Sequence, residues 1–406
     1  MKLGVEGYAP ALLRKIVSQG GRYAYAEAAH NLNELAEQKI SSQHVLRLTK
    51  RIGSEWAAQR DREIEEFKQD RLARSYAQTP TVAVAMLDGG RVQTREEPSG
   101  PGVKNPEWHE PKYGCFQTLD TTSSQVDPQP EPPDKFLDRE GVPKLVRQIQ
   151  SVRGEARIRG EPQKKAAPSK PRKKKKNKRP SKELLRTVIA TMAGVEEFGY
   201  QVAVEIYKRG LDLAQRKACV CDGQKSNWTV WEKHLKKLGF VPILDFLHLL
   251  TYLYAAAQAL GGTDDQRWAR YTQWLTWAWQ GRREELLLAI NGAAAQVGAP
   301  PDSASETDPR RVIEKTQTYV TNNIEKMDYP RYRKLGLPMS SAPVESTIKQ
   351  FNKRVKGTEK FWRTSAVEAV LQVRAAQLSR DGREDRLWAM PRPYRAARHK
   401  PLYIAA

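Results

Sequence analysis

The chain has 406 residues, and 69 Lys and Arg against 47 Asp and Glu leave a net charge of +22. That excess argues against a small acidic enzyme and for a polyanionic partner, nucleic acid above all, while the length suggests about two or three domains. Hydrophobic residues make up 39%, enough for a core but low enough that part of the chain is expected to be disordered. The three cysteines, Cys115, Cys219 and Cys221, are too few for a disulfide framework and favour a reducing cytoplasm. No apolar run reads as a signal peptide or approaches the length of a membrane span, so a cytoplasmic protein with no membrane partner is expected.

The charge is uneven. Residues 1–80 carry +3, 81–160 carry −1, 161–180 carry +9, 181–330 are neutral and 331–406 carry +11. The first excess is the block from Lys164 to Pro180, almost all Lys, Arg and Pro. Such a block repels itself and buries nothing, so it is expected to be disordered, either as a solvated tether or as a direct nucleic-acid contact. In the second excess, Lys and Arg alternate with apolar residues, which places the charge on folded surfaces.

Residues 22–78 read as helical, within an N-terminal helical region spanning 1–79. Ala26, Ala29, Leu32 and Leu35 recur at helical spacing. Ser41 is a natural N-cap for a helix with Val45, Leu48, Ile52 and Trp56 on one face. Gln43, His44, Arg47, Lys50 and Arg51 fall on its other faces. Helix, short turn and helix with a basic outer side fits a helix-turn-helix DNA reader, and equally an ordinary helical hairpin.

From Thr81 the run TVAVAML predicts a strand buried on both faces. It ends at Asp88-Gly89-Gly90, a tight-turn signal that predicts Arg91–Arg95 running back as a second strand, with Lys112–Leu119 as a third. Residues 80–120 thus open a sheet. Residues 121–180 hold nine prolines and the lysine block; sixty residues is too long for a packed loop, which predicts a disordered linker or insertion, interrupted by a short helix near Val142–Ile149. Helices are expected at Ser181–Ala193 and Val195–Arg209, strands at Arg216–Cys221 and Gly239–Leu244, and helices at Trp228–Leu238 and Phe246–Leu260. Residues 181–262 so continue a mixed α/β sheet. Residues 263–330 read as a helical insertion bearing Trp268, Trp274, Trp277 and Trp279. A tryptophan cluster can stack on extruded bases, though packing between helices is the commoner use. In residues 331–379, Val344, Ile348, Phe351 and Val355 form the apolar stripe of a helix stopped at Gly357, and Ser365–Glu368 reads as a capping box for the next. Residues 380–406 read as a basic, irregular tail.

Three acidic residues hold unusual places. Asp88 and Asp222 each terminate an apolar strand, where α/β proteins open their ligand crevice. Glu345 lies in the first turns of a helix, one position out of register for a capping box with Ser341. Three converging carboxylates repel each other unless a cation intervenes, and hard oxygen ligands suit Mg²⁺ or Mn²⁺. Two such ions about 4 Å apart serve phosphoryl transfer. Below Glu345 on the same helix come Lys349, Asn352 and Lys356 on one face, flanked by Lys353 and Arg354, suited to a phosphate backbone and equally to a solvated basic face. Asp245 and His248 stand at i and i+3 opening a helix; a supporting role is favoured over a catalytic one. Cys219 and Cys221 with His234 have the wrong spacing for structural zinc, and core cysteines are the better reading.

Several phrases together resemble one family: AMLDGGRVQTR from Ala85, VCDGQKSNWTVWEKH from Val220, FVPILDFLHLLTYLYAAA from Phe240, YRKLGLP from Tyr332 and VESTIKQFNKRVKGTEKFW from Val344. In order and spacing they resemble bacterial insertion-sequence DDE transposases of the ISKra-type group, over roughly Ala26 to Ser379. The resemblance implies an RNase H-like catalytic core with Asp88, Asp222 and Glu345 as catalytic and metal-binding triad, two Mg²⁺ or Mn²⁺ ions, and Asp245 and His248 as an auxiliary pair. It implies cleavage and strand transfer on double-stranded DNA, transposon ends and target, by a homodimer or larger assembly near the nucleoid, with no nucleotide cofactor. The 122 residues between Asp222 and Glu345 match the helical insertion of such enzymes. The Pro/Lys-rich segment and the short region ahead of the helix-turn-helix depart from the pattern.

Overall fold

A computed structural model of the chain describes residues 8–76, 78–95, 107–153, 181–357 and 360–390. Three helices come first: α1 (Pro10–Arg22), α2 (Tyr25–Ala36) and α3 (Ser42–Lys68). Ser41 caps α3 as expected, its hydroxyl accepting the His44 N–H at 3.2 Å. Helix α1, not anticipated from the sequence, starts with Pro10 in its first turn. Its Leu13, Ile16 and Val17 close a small core with Ala28, Leu32, Val45, Leu48, Ile52 and Trp56.

The sheet is built from β1 (Val82–Gly89), β4 (Lys112–Thr121), β5 (Ser181–Thr191), β6 (Arg216–Cys221) and β7 (Val241–Leu244), in the order β5-β4-β1-β6-β7; β2 (Val92–Thr94) and β3 (Glu107–His109) form a separate ribbon. Strands β5, β4 and β1 are antiparallel, while β1, β6 and β7 are parallel. Helices α4 (Gly141–Arg153), α5 (Val195–Lys208), α6 (Lys225–Val230), α7 (Phe246–Ala259), α8 (Asp264–Trp279), α9 (Arg283–Val297), α10 (Pro309–Asn323), α11 (Tyr329–Lys334), α12 (Ala342–Val355), α13 (Thr364–Leu378) and α14 (Arg383–Ala389) complete the chain order. The apolar run of β1 is buried on both faces: Val82, Val84 and Met86 enter the larger core with α7 and α12, and Ala83, Ala85 and Leu87 meet Phe198, Val202 and Ile206 of α5. The result is an α/β fold, a five-stranded mixed sheet flanked by helices. No helix of the described residues is long and apolar enough to cross a membrane.

Four expectations fail. Strand β2 pairs with β3, not with β1, because neither Gly89 nor Gly90 takes the positive φ that a two-residue hairpin turn needs. Ser181–Ala193 is strand rather than helix: Thr187, Val188 and Ile189 are β-branched, and β4 offers an open edge whose pairing outweighs the helical propensity of Lys-Glu-Leu-Leu-Arg. The segment expected as a linker from residue 121 is ordered to residue 153. Two of its carbonyls are taken by side chains of α8, Trp279 Nε1 donating to Gln129 O at 2.9 Å and the Tyr271 hydroxyl to Phe136 O at 3.0 Å. Phe136, Val142 and Val146 join the main core; the lysine block lies outside the described residues. The expected irregular tail begins instead with α14, anchored by Asp381 against Thr187 and Arg209. In the insertion, Trp274 and Trp279 are buried and Trp268 and Trp277 pack partly buried on the same core.

Candidate active site

Strands β1 and β6 run parallel in a register that pairs Leu87 with Cys221. The next residue on each, Asp88 and Asp222, therefore emerges side by side at the carboxyl edge of the sheet. Asp88 Oδ1 accepts the Gly89 N–H at 2.7 Å. Asp222 Oδ1 accepts the Gln224 N–H at 3.0 Å and Asn227 Nδ2 at 3.1 Å. The Asp222 carbonyl accepts the Tyr319 hydroxyl at 2.8 Å, and that ring stacks on Tyr252 with centroids 3.9 Å apart. Gly223 follows at φ +96°, where an added Cβ would sit 2.6 Å from the Tyr319 ring, so only glycine fits. The insertion helix α10 thereby braces the turn that carries Asp222.

Helix α12 lies against β1 and β4 and brings Glu345 to the same edge. Its Phe351 packs on Tyr113 (centroids 4.9 Å), the residue of β4 paired with Asp88. Burial pushes the Tyr113 hydroxyl well above its ordinary range, and Asp88 adds to the rise. Asp88, Asp222 and Glu345 are all buried, at 9%, 5% and 7% exposure.

The third parallel strand, β7, delivers Asp245. It caps α7, Oδ1 accepting the N–H groups of Leu247 at 2.6 Å and His248 at 3.4 Å. Its Oδ2 accepts the Ser341 N–H at 2.6 Å and the Ser341 hydroxyl. Asp245 so joins the start of α7 to the start of α12. Burial pushes its carboxyl above the ordinary value; His248 and Ser341 oppose the rise and Glu345 adds to it. One turn into α7, His248 Nε2 lies 3.1 Å from Glu345 Oε1. Asp245, His248 and Glu345 each offer a ligand atom within 4.8 Å of the others, a group that can hold a metal ion. Asp88 and Asp222 lie outside that group; Glu345 belongs both to it and to the carboxylate trio read from the sequence.

A scan against protein-family models and a search of curated proteins both find no match. The reading of this site therefore stands on its residues.

The predicted basic residues separate into two sets. Gln43, His44, Arg47, Lys50 and Arg51 line a shallow groove on the first turns of α3, with Ser41, Leu46 and Ser54. Lys353 is exposed, and Lys349, Asn352 and Lys356 are half-buried on α12. Arg354, expected to contact DNA, is instead 2% exposed. Its Nε donates to Gly20 O at 2.9 Å and its guanidinium lies between the rings of Tyr25 and Trp362, at 4.5 and 4.9 Å. It fastens α12 to the N-terminal helices because its place on the helix faces inward with Phe351 and Val355. Two capping expectations also change. Ser341 occupies the N-cap position of α12 without capping it, its hydroxyl being given to Asp245. Glu368 closes no capping box and binds Arg60, Thr191 and the Met192 N–H. Cys115, Cys219 and Cys221 are free and buried. Sequence reasoning missed Asn227 and Tyr319, and read Ser341 only as a cap and not as a partner of Asp245. Asn227 had a signal, standing in the first turn after Asp222; Tyr319 and the pairing of Ser341 with Asp245 had none.

Proposed function

We propose that the protein is a DDE-type DNA transposase, binding the ends of an insertion sequence and catalysing metal-dependent cleavage and strand transfer. One observation carries the reading: two adjacent parallel strands in register end in Asp88 and Asp222, and a packed helix brings Glu345, oriented by His248, to the same edge. The strand order, three antiparallel strands followed by two parallel ones, is compatible with an RNase H-like core. The charge of +22 supplies the attraction to DNA.

The donors fit a hard divalent cation, Mg²⁺ or Mn²⁺: carboxylate oxygens, buried and already oriented by Gly89, Gln224, Asn227 and His248. Asp88, Asp222 and Glu345 would hold two such ions. Bound there, they supply charge neutralisation for the attacking and leaving oxygens of an in-line phosphoryl transfer. The chain's own residues do the positioning. Asn227 and Tyr319 fix the Asp222 turn from side chain and carbonyl. His248 fixes Glu345, and Asp245 sets the angle between α7 and α12 on which that contact depends. Lys349, Lys353 and Lys356 extend from Glu345 along α12 toward the DNA backbone, and the groove on α3 grips or reads the terminal sequence. Two ends must meet for joining, so a dimer or larger assembly acts.

The test combines purified protein, Mg²⁺ and DNA carrying the sequences that flank the gene. Cut ends joined to target DNA support the reading. Cutting without joining makes the protein a nuclease, and cleavage retained by Asp88→Asn overturns the triad.

A further inference from the structure

The ribbon of β2 and β3 leaves the sheet directly after Asp88, and its two faces differ. Val92 and Thr94 point inward and are fully buried. The register pairs Gln93 with Trp108. Alternation along β2 therefore puts Arg91, Gln93 and Arg95 on the outer face with the Trp108 indole. Arg91 and Arg95 are exposed, and Trp108 is 53% exposed, the most exposed tryptophan of the described residues.

That face adjoins the site. Glu110, two residues beyond Trp108 and just past the end of β3, accepts Gln224 Nε2 at 2.8 Å. A Cβ added to Gly89 would fall 2.2 Å from the Glu110 carboxylate. Glu110 thus touches the turns that follow both Asp88 and Asp222, and Trp108 precedes it by two residues. The ribbon is held at its other edge, where Trp362 bridges β2: Trp362 N donates to Gln93 O at 3.1 Å and Arg95 N to Trp362 O at 2.8 Å. An indole on a braced ribbon loses little freedom when a ligand stacks on it.

We propose that Trp108 is a stacking platform for an unpaired nucleobase beside the scissile phosphate, with Arg91 and Arg95 holding the backbone on either side. A flat indole between two arginines suits single-stranded nucleic acid, because an unpaired base exposes a π-face that a base inside a duplex does not. This rests on the reading of the site as a DNA-processing centre and adds the DNA state it accepts, one opened at the point of cleavage.

The experiment uses the full chain and a single-stranded oligonucleotide bearing one 2-aminopurine, whose fluorescence is quenched by stacking. Wild type and Asp88→Asn should quench it. Trp108→Ala should lose the quench and bind about five- to a hundred-fold more weakly, and Trp108→Phe should keep most of both. Equal quench and affinity in Trp108→Ala overturns the proposal; the residue is exposed, so its loss leaves the fold intact. A second arm scores cleavage of end-bearing duplex. Trp108→Ala should cut intact duplex more slowly and recover on duplex with mismatches at the cleavage point. If wild type and Trp108→Ala cut intact duplex equally, the platform fails while the transposase reading stands. If nothing is cut while the quench depends on Trp108, the platform stands and the transposase reading fails.

Discussion

Two clusters of buried charge flank the sheet and differ in what their acids meet. At the outer edge of β5, Asp381 Oδ2 accepts the Thr187 hydroxyl at 2.8 Å and Arg209 Nη1 at 3.0 Å, and Arg383 spans Asp381 and Glu205 at 3.2 and 2.6 Å. There carboxylates meet guanidiniums. At the carboxyl edge of β1, β6 and β7, the partners of Asp88, Asp222, Asp245 and Glu345 include backbone N–H groups, an amide, a hydroxyl and an imidazole. Partners of the first kind neutralise charge and hold the fold; partners of the second kind fix the direction of the carboxylate oxygens, which is what a metal ligand needs.

The sharpest way to break this contrast is to exchange the effects. Asp381→Asn strips a buried acid from two arginines and should cost about 3–5 kcal/mol of unfolding free energy, with activity per folded molecule unchanged. Asp88→Asn should leave the denaturant midpoint unchanged or higher and lower cleavage about a hundred-fold or more, with DNA binding intact. Denaturant melts and a cleavage assay on both variants decide it. If Asp88→Asn unfolds the protein, or Asp381→Asn selectively abolishes cleavage, the contrast is wrong.

Helix α12 repeats the contrast between adjacent residues. Arg354→Ala should destabilise by about 2 kcal/mol through its lost ring contacts. Lys353→Ala should leave stability alone and reduce the salt dependence of DNA binding by about one phosphate contact. Deleting Lys173–Lys176 should flatten that dependence further, by up to about four contacts; an unchanged salt slope makes the block a tether.

The smallest effect is on pH dependence. Burial pushes the Asp381 carboxyl up, but Arg383, Thr187 and Arg209 outweigh it and hold it below its ordinary value of 3.8. Its stabilisation is therefore fully present above about that pH and is lost as pH falls through the depressed folded value. The gap in denaturant midpoint between wild type and Asp381→Asn should be widest near neutral pH and close in acid. A gap that widens in acid would contradict the ion-pair role.

Much of the site is legible along the chain. Asp88 follows a long apolar run and Asp222 a shorter one, each read as a strand, and Asp245-x-x-His248 opens a helix, so their placement marks them as candidates. Glu345 is legible by what it does not do, since it fits no cap. The failures share a cause. The Ser181–Ala193 segment carries helix-forming residues, and its state was decided by an edge of β4 some seventy positions earlier. Arg354 differs from Lys353 by one step around a helix, and only the neighbours of that helix say which of the two faces inward. Ser341 serves as a strut because Asp245, 96 positions away, takes its hydroxyl.

Apolar periodicity and the placement of acids at element ends determined most of the element order and marked the acidic residues proposed for the site, because each is a local property of the chain. The tertiary structure alone decided which strands pair, which charges are buried, and that the proline-rich stretch to residue 153 is a strap across the helical insertion. These depend on contacts between residues far apart in sequence, such as Arg209 with Asp381 or Trp279 with Gln129, where burial and hydrogen-bond satisfaction override local propensity.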